Sequence, residues 1–167
     1  LSRVDILREL AAIPGTYGPR FYEASYHEDG TLKDFQPTDK AASLPIIKRV
    51  VLDLDEAAYP EDIPVPFTEI VHDRIVLEVM RGCTRGCRFC QAGMLYRPVR
   101  ERSAERLFKL AQKLVDATGY EEMSLSSLST GDYTQLNELV RGLNERFADQ
   151  RVSLTLPSLR IHGHLQE

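Results

Sequence analysis

The chain has 167 residues, of which 43% are hydrophobic and 28% are charged, a composition typical of one ordinary folded domain rather than a disordered or fibrous chain. Its formal net charge of -4 gives no overall basic character for nucleic-acid binding. No apolar run approaches the length of a membrane span, and three cysteines cannot form a complete disulfide framework, so we expect a cytoplasmic protein.

The first 72 residues predict an irregular connector. Ser2 followed by Asp5 predicts a capped helix that stops before Pro14, and Asp29-Gly30 predicts the turn of a hairpin. Prolines extend the remainder, and the acidic run 53–56 is interpreted as a solvated loop rather than a divalent-cation site. Because the chain begins at Leu1, we expect residues 1–72 to connect to an upstream domain that is missing here.

From residue 73 onward, strand patterns alternate with helix patterns. Apolar residues spaced three and four apart predict a helix between Ser103 and Gly119 and a second helix from Thr134 to Phe147. Short apolar runs predict strands at 75–79, 123–126 and 152–156. This βαβαβ order predicts an α/β fold with a parallel sheet and right-handed crossovers.

Three loops follow these strands directly. They are the cysteine-containing loop, the turn at 129–132 and the segment 157–160. Ligands of parallel sheets bind beyond the carboxyl ends of the strands, so we expect all three loops to meet at one edge.

All the cysteines of the chain lie within eight residues, at Cys83, Cys87 and Cys90. A structural zinc site takes four protein ligands, whereas a cubane iron-sulfur cluster held by three cysteines leaves one iron open for chemistry. Two interpretations therefore stay open. One is an iron-sulfur cluster with an open iron. The other is a zinc- or iron-sulfur-binding module without radical chemistry; if the metal is zinc, His72 or His162 would serve as its fourth ligand.

The Cys-x3-Cys-x2-Cys spacing after a strand, with Phe89 before the last cysteine, resembles the signature of the radical S-adenosylmethionine (radical SAM) superfamily. Residues 81–102, with 72–78 ahead of them, resemble more narrowly the bacterial radical SAM proteins that carry an upstream cobalamin-binding-type domain. The resemblance implies that residues 73–167 form the N-terminal half of a partial (β/α)6 TIM-like barrel, completed by strands beyond this chain.

The resemblance also implies the chemistry. Cys83, Cys87 and Cys90 would ligate three irons of a [4Fe-4S] cluster, and S-adenosylmethionine would chelate the fourth iron. Reductive cleavage would then give a 5'-deoxyadenosyl radical that acts on an unknown substrate, with methylation or methylthiolation as the reactions suggested by relatives. The implied partners are an electron donor such as flavodoxin or ferredoxin and the remaining domains of the full-length chain. Cobalamin would enter through an upstream domain.

Further residues are assigned to the cofactors by the same resemblance. The run Ser129, Thr130, Gly131 and Asp132 occupies the place of a Gly-Gly-Glu-type motif that contacts the methionine amino group, although Thr130 replaces a glycine and Asp132 is shorter than glutamate. A plain turn with a helix-capping role for Thr130, Asp132 or Thr134 explains the same residues.

Beyond the third strand, Ser158 and Arg160 are assigned to the cofactor. Arg160 is interpreted either as a partner of the methionine carboxylate or as a plain surface arginine. Phe89 would shield the cluster, while Gly82 and Gly86 are expected to let the cysteine loop fold tightly.

Two weaker patterns remain. The basic run 97–102 beside Tyr96 is interpreted either as a contact for a phosphate, a substrate or an RNA backbone, or as a solvated loop leading into the helix. His162 and His164 are spaced as a pair that can chelate a metal.

Overall fold

The computed structural model describes residues 1–159 of the chain. Their packing divides into two compact units, Leu1–Val51 and a second unit that begins at Leu52. The predicted domain boundary at residue 72 stays a prediction.

The first unit holds a short helix and a hairpin, both as predicted. Ser2 Oγ accepts from Asp5 N at 3.2 Å, while the Asp5 carboxylate accepts from Ser2 N at 3.0 Å, which forms a capping box. Gly30, at φ 82°, makes the antiparallel turn, and the rings of Tyr22 and Phe35 stack across the hairpin at 5.2 Å. The elements are α1 (Arg3–Ala11), β1 (Tyr22–Tyr26) and β2 (Leu32–Pro37).

The second unit is built on a parallel sheet. Its elements, in chain order, are β3 (Ile75–Glu78), β4 (Met80–Arg81), α2 (Ala92–Leu95), β5 (Arg100–Glu101), α3 (Ala104–Thr118), β6 (Glu122–Ser126), α4 (Leu136–Phe147) and β7 (Ser153–Thr155). Strands β3, β6 and β7 pair in that order, all parallel, with α3 and α4 as the connections. The predicted α/β class and βαβαβ order are confirmed, and the arrangement is that of part of a TIM-like barrel.

The two faces of this sheet differ in character. One face packs on α3 and α4, where alternate strand residues and the apolar stripes of both helices form one buried core. On β3, Leu77 is fully buried in that core, whereas Val76 next to it is 45% exposed. The second face of β6 carries the small polar residues Ser124 and Ser126. This second face is mixed in character, since Val76 pairs with Ser124 on it and Ser124 is only 8% exposed.

Helix α3 ends where the sequence predicts. Ser103 Oγ accepts from Arg106 N at 3.1 Å, and Gly119 terminates the helix at φ 68°. Helix α4 begins later than predicted, because its leading residues bind elsewhere: Gln135 Oε1 accepts from Ala104 N at 2.8 Å, and Thr134 binds the Glu101 carboxylate. The predicted capping role of Thr134 is therefore wrong.

A short antiparallel pair that the sequence did not predict closes the base of the cysteine loop. Met80 of β4 pairs with Glu101 of β5, and Arg81 pairs with Arg100. Both ends of the loop are therefore held together directly beyond β3, and the loop emerges at the carboxyl edge of the sheet.

A buried arginine lies beneath this pair. The Arg102 side chain is 1% exposed; its guanidinium donates to the main-chain oxygens of Leu54 and Glu78, and it lies 3.6 Å from the Glu78 carboxylate. Its guanidinium carbon also stands 5.1 Å from the Tyr59 ring centroid. Arg102 thus anchors the segment before β3, and for this residue the interpretation of the basic run as a solvated loop is wrong.

Candidate functional site

The three cysteines lie on the loop between β4 and α2. None forms a disulfide, and each is partly buried. Cys90 N donates to Cys87 O at 3.0 Å, which makes a tight turn, and Arg85 N donates to Cys83 Sγ at 3.4 Å. The loop thus places three thiols and at least one N–H donor to sulfur within a few residues.

Two glycines allow the loop to fold closely on itself. Gly82 has φ 94°, and a Cβ there would meet Tyr96 O and lie 2.9 Å from Pro98 O. A Cβ at Gly93 would lie 2.5 Å from Arg85 O. Gly86 has no protein atom within 4 Å of such a Cβ, so its expected role in wrapping the loop around a cluster stays a prediction.

Arginines of the basic run support the main chain of this loop. Arg97 Nε donates to Gly93 O at 2.7 Å, and its Nη2 donates to Thr84 O at 3.4 Å. Arg100 Nε donates to Pro98 O at 2.9 Å. Sequence reasoning missed this role, because a basic run shows charge but not the carbonyl groups that the folded loop presents to it.

A cavity of about 450 Å³ brings the three strand-end loops together, as expected from the topology. Its walls come from the cysteine loop, from the loop after β6 and from the segment after β7. The lining residues are Cys83, Arg85, Cys87, Phe89, Cys90, Ala92, Leu128, Ser129, Ser158 and Leu159.

The residues assigned to the cofactor after β6 divide into two groups. Ser129 lines the cavity, whereas Thr130, Gly131 and Asp132 form a short 3-10 turn beside it. Thr130 is fully buried, and its hydroxyl lies 3.0 Å from Ser127 Oγ. Thr130 therefore shapes the turn, and the direct cofactor contact predicted for its side chain stays a prediction.

The residues assigned after β7 also lie in different places. Ser158 lines the cavity, with φ 59°, a left-handed conformation that is uncommon for serine. Its carbonyl accepts from Thr130 N at 3.3 Å, which joins the loops after β6 and β7. Arg160, His162 and His164 lie outside the described residues. Phe89 lines the cavity but is 94% exposed, so shielding of a cluster by this ring stays a prediction.

An ion pair that sequence reasoning missed joins the cysteine loop to the loop after β6. Arg85 Nε donates to Asp132 Oδ2 at 2.8 Å, a second contact joins Arg85 Nη2 to Asp132 Oδ1, and Ser129 Oγ donates to the same carboxylate at 2.8 Å. The carboxylate raises the pKa of Arg85. The predicted contact of Asp132 with a methionine amino group stays a prediction, and that contact would share a carboxylate already bound by two side chains.

A second cavity of about 340 Å³ adjoins the first. Leu128 lines both cavities, and the second also borders Tyr96, Ser126 and Ser127. Arg81, on its wall, donates to both Glu78 carboxylate oxygens at 2.7 Å and holds the pKa of Glu78 below its ordinary value.

The three thiols all lie on the wall of the first cavity. Among residues 1–159, no three histidine, cysteine, aspartate or glutamate side chains lie close enough together to hold a single metal ion. Thiolates around one tetrahedral zinc lie about 3.8 Å apart, since each Zn–S bond is about 2.3 Å. The described part of the chain therefore offers no preformed zinc site, with or without His72.

Over the same described range, no helix combines the length and the apolar character needed to cross a bilayer.

Comparison with known proteins agrees with this geometry. The family model of the radical SAM superfamily matches residues 77–167, more than half of the chain. The uncharacterized protein MJ0966 of Methanocaldococcus jannaschii is 38% identical over 85 residues, which cover 51% of this chain and 18% of that protein. No solved structure matches the chain.

A second curated relative has a named activity. The threonylcarbamoyladenosine tRNA methylthiotransferase MtaB of Bacillus subtilis is 37% identical over 84 residues, which cover 50% of this chain and 18% of that enzyme. Each match thus spans under one fifth of the relative's length. Because the family model covers most of the second unit, including the cysteine loop and most of the parallel sheet, the chain belongs to the radical SAM superfamily.

Proposed function

We propose that Cys83, Cys87 and Cys90 ligate a [4Fe-4S] cluster and that S-adenosylmethionine binds beside it in the cavity formed by the three strand-end loops. The observation that carries the proposal is the common wall: the three thiols, Ser129 and Ser158 border one space of about 450 Å³. A cubane cluster takes one thiolate per iron, and three thiols on the wall of one cavity can supply three of its four ligands.

The chain's own residues have three tasks in this proposal. The close approaches of main chain at Gly82 and Gly93 let the cysteine loop fold on itself, and main-chain N–H groups such as that of Arg85 donate toward sulfur. Ser129 and Ser158 offer polar groups to the methionine moiety. When bound, the two cofactors supply reductive cleavage of the sulfonium to methionine and a 5'-deoxyadenosyl radical, which removes a hydrogen atom from the substrate.

The reaction on the substrate is proposed as methylthiolation or methylation. Support for methylthiolation comes from the named activity of the Bacillus subtilis relative, which is 37% identical over half of this chain. An electron donor such as flavodoxin or ferredoxin would reduce the cluster, and cobalamin would be bound only by a further domain. A cytoplasmic location fits three reduced thiols, since reducing compartments preserve them.

Anaerobic reconstitution tests the cluster. The purified protein is expected to bind about four irons and four sulfides per chain and to turn brown. Replacing Cys83, Cys87 or Cys90 singly with alanine should lower the iron content and abolish 5'-deoxyadenosine formation from S-adenosylmethionine under reducing conditions. Lys109→Gln, on the exposed face of α3, serves as a control that should change neither quantity.

Two results would contradict the proposal. One tightly bound zinc per chain without colour would favour the zinc module. A full cluster that never yields 5'-deoxyadenosine with dithionite and S-adenosylmethionine would instead assign the cluster to electron transfer or to structure.

A further inference from the structure

Positive charge is concentrated around the cysteine loop of an otherwise acidic chain. Residues 81–102 contain six arginines and one glutamate, although the whole chain has a net charge of -4. Of these arginines, Arg102 is buried, and Arg81 and Arg85 form ion pairs with Glu78 and Asp132. Arg81 and Arg85 remain 41% and 42% exposed despite their ion pairs, and Arg88 is exposed as well. The mouths of both cavities therefore present guanidinium groups to solvent.

Exposed aromatic rings lie among these arginines. Phe89, next to Arg88, is 94% exposed at the cysteine cavity, and Tyr96 is 52% exposed at the second cavity. Large exposed rings cost hydrophobic free energy, and interleaved with arginines they form the pattern by which proteins bind single-stranded nucleic acid. Arginines contact the phosphates in such sites, and the rings stack on bases.

The second cavity has the chemistry to hold a flat polar ring. Tyr96 and Leu128 supply apolar surface, while the Ser126 hydroxyl supplies a group that can donate and accept hydrogen bonds. Ser127 also borders the cavity, with its hydroxyl already bound to Thr130 Oγ1 and Ser129 N. The Arg81 guanidinium is held rigidly by the Glu78 carboxylate. Because Leu128 is shared by the two cavities, a group bound against Tyr96 would lie next to the proposed cofactor site.

We propose that the substrate is a single-stranded nucleic acid whose phosphates lie along the arginines of the cysteine loop and whose target base occupies the cavity at Tyr96. This inference rests on the proposed function, since the base must be presented to the cofactor cavity. The arginines alone would suit an acidic protein partner as well as a nucleic acid. The exposed aromatic rings and the hydroxyl-lined cavity favour bases as the bound groups.

Fluorescence anisotropy with labelled oligonucleotides of about 12 nucleotides tests the inference, because single-stranded sites commonly cover about 4–16 nucleotides. Three probes are compared: RNA, DNA of the same sequence, and an abasic backbone of the same length. We expect the base-containing probes to bind about tenfold more tightly than the abasic one. Affinity for every probe should fall as salt concentration rises. Tighter binding of RNA than of DNA would identify contacts to the 2'-hydroxyl, and the reverse would identify DNA as the substrate.

Variants separate stacking from charge. Tyr96→Ala should remove most of the advantage of base-containing probes, and Tyr96→Phe should keep it. Arg88→Gln should weaken all probes by a similar factor and reduce the salt slope by about 1. Lys109→Gln removes one charge from the exposed side of α3 and should leave binding unchanged.

Three outcomes would overturn the inference: equal affinity for abasic and base-containing probes, equal weakening by Lys109→Gln and Arg88→Gln, or no binding of any probe. In the last case, binding of flavodoxin should be measured as well. If Arg88→Gln weakens it, the arginines of the cysteine loop would be assigned to an acidic electron carrier. If 5'-deoxyadenosine forms without nucleic-acid binding, this inference alone fails. If no cluster assembles, the proposed function fails, while anisotropy still reports whether the strand binds.

Discussion

At the scale of single residues, Gly82 controls how closely the cysteine loop returns to its own base. Gly82→Ala should lower the free energy of unfolding by about 2–4 kcal/mol. A residue with a Cβ is strained at this positive φ, and the Cβ would also overlap main-chain oxygens. Gly119→Ala is the matched control: it has φ 68° but no atom near its Cβ, so it should cost only about 1 kcal/mol. Urea denaturation measures both. Equal losses would show that the close approach at Gly82 has no energetic effect.

Arg102 tests the buried charge network. Arg102→Met keeps most of the volume but leaves Leu54 O without its guanidinium donor, so we expect a loss of about 3 kcal/mol in the free energy of unfolding. Lys109→Met breaks the exposed pair with Glu105 and should cost less than about 1 kcal/mol. Thermal or urea denaturation of the two variants provides the comparison. Similar losses for both would mean that Arg102 is not buried in solution.

Residue types and spacings identify some site residues and leave others hidden. The three cysteines are evident because their spacing is short and local. The pairing of Arg85 with Asp132 spans 47 positions, and that of Arg102 with Leu54 spans 48, so neither leaves a local pattern. Arginine is also rarely buried, which favours a surface interpretation of Arg102 until its partners are seen.

At the scale of elements, the two helices of the parallel unit support each other at their first turns. Gln135 Oε1, just before α4, accepts from the first main-chain N–H of α3, at Ala104. Gln135→Ala should therefore lower the free energy of unfolding by about 1 kcal/mol. Gln112→Ala, which removes a contact with Asp116 on α3 itself, is expected to change it by less than about 0.5 kcal/mol. A thermal melt of each variant decides the point, and a Gln135→Ala protein as stable as wild type would contradict it.

The hydrophobic period predicts both long helices, α3 and α4, and the end residues predict the bounds of α3. Helix α3 follows its apolar stripe, and its ends follow from Ser103 and Gly119. Strands β4 and β5 have two residues each, too few for any period, and they exist because Met80 and Glu101 are brought together by the loop between them. Helix α4 begins later than its period predicts for a similar reason: the side chain of Gln135, just before it, accepts a hydrogen bond from the first turn of α3.

At the scale of the whole molecule, alternation along the strands explains where the two cavities form. Every second strand residue enters the core with α3 and α4, and the others, such as Val76, Ser124 and Ser126, lie on the opposite face. The carboxyl ends of β3, β6 and β7 then bring loops from distant parts of the sequence to one edge. The topology predicted this convergence; the cavity volumes and the shared wall at Leu128 depend on loop conformations that strand order does not specify.

The β7 side of the sheet, one of its two outer edges, has a consequence for association. Within residues 1–159, β7 has β6 as its one hydrogen-bonded neighbour, so its other edge presents main-chain groups that can pair with a second chain. We expect sedimentation velocity to show species that grow with protein concentration. Ser153→Lys, which places a charge on this edge strand, should shift the distribution toward monomer. Ala117→Lys adds the same charge on the exposed side of α3 and should not. A monomer at all concentrations, with one cooperative unfolding transition at high temperature, would show that the β7 edge is not adhesive and that the unit is stable with the strands it has.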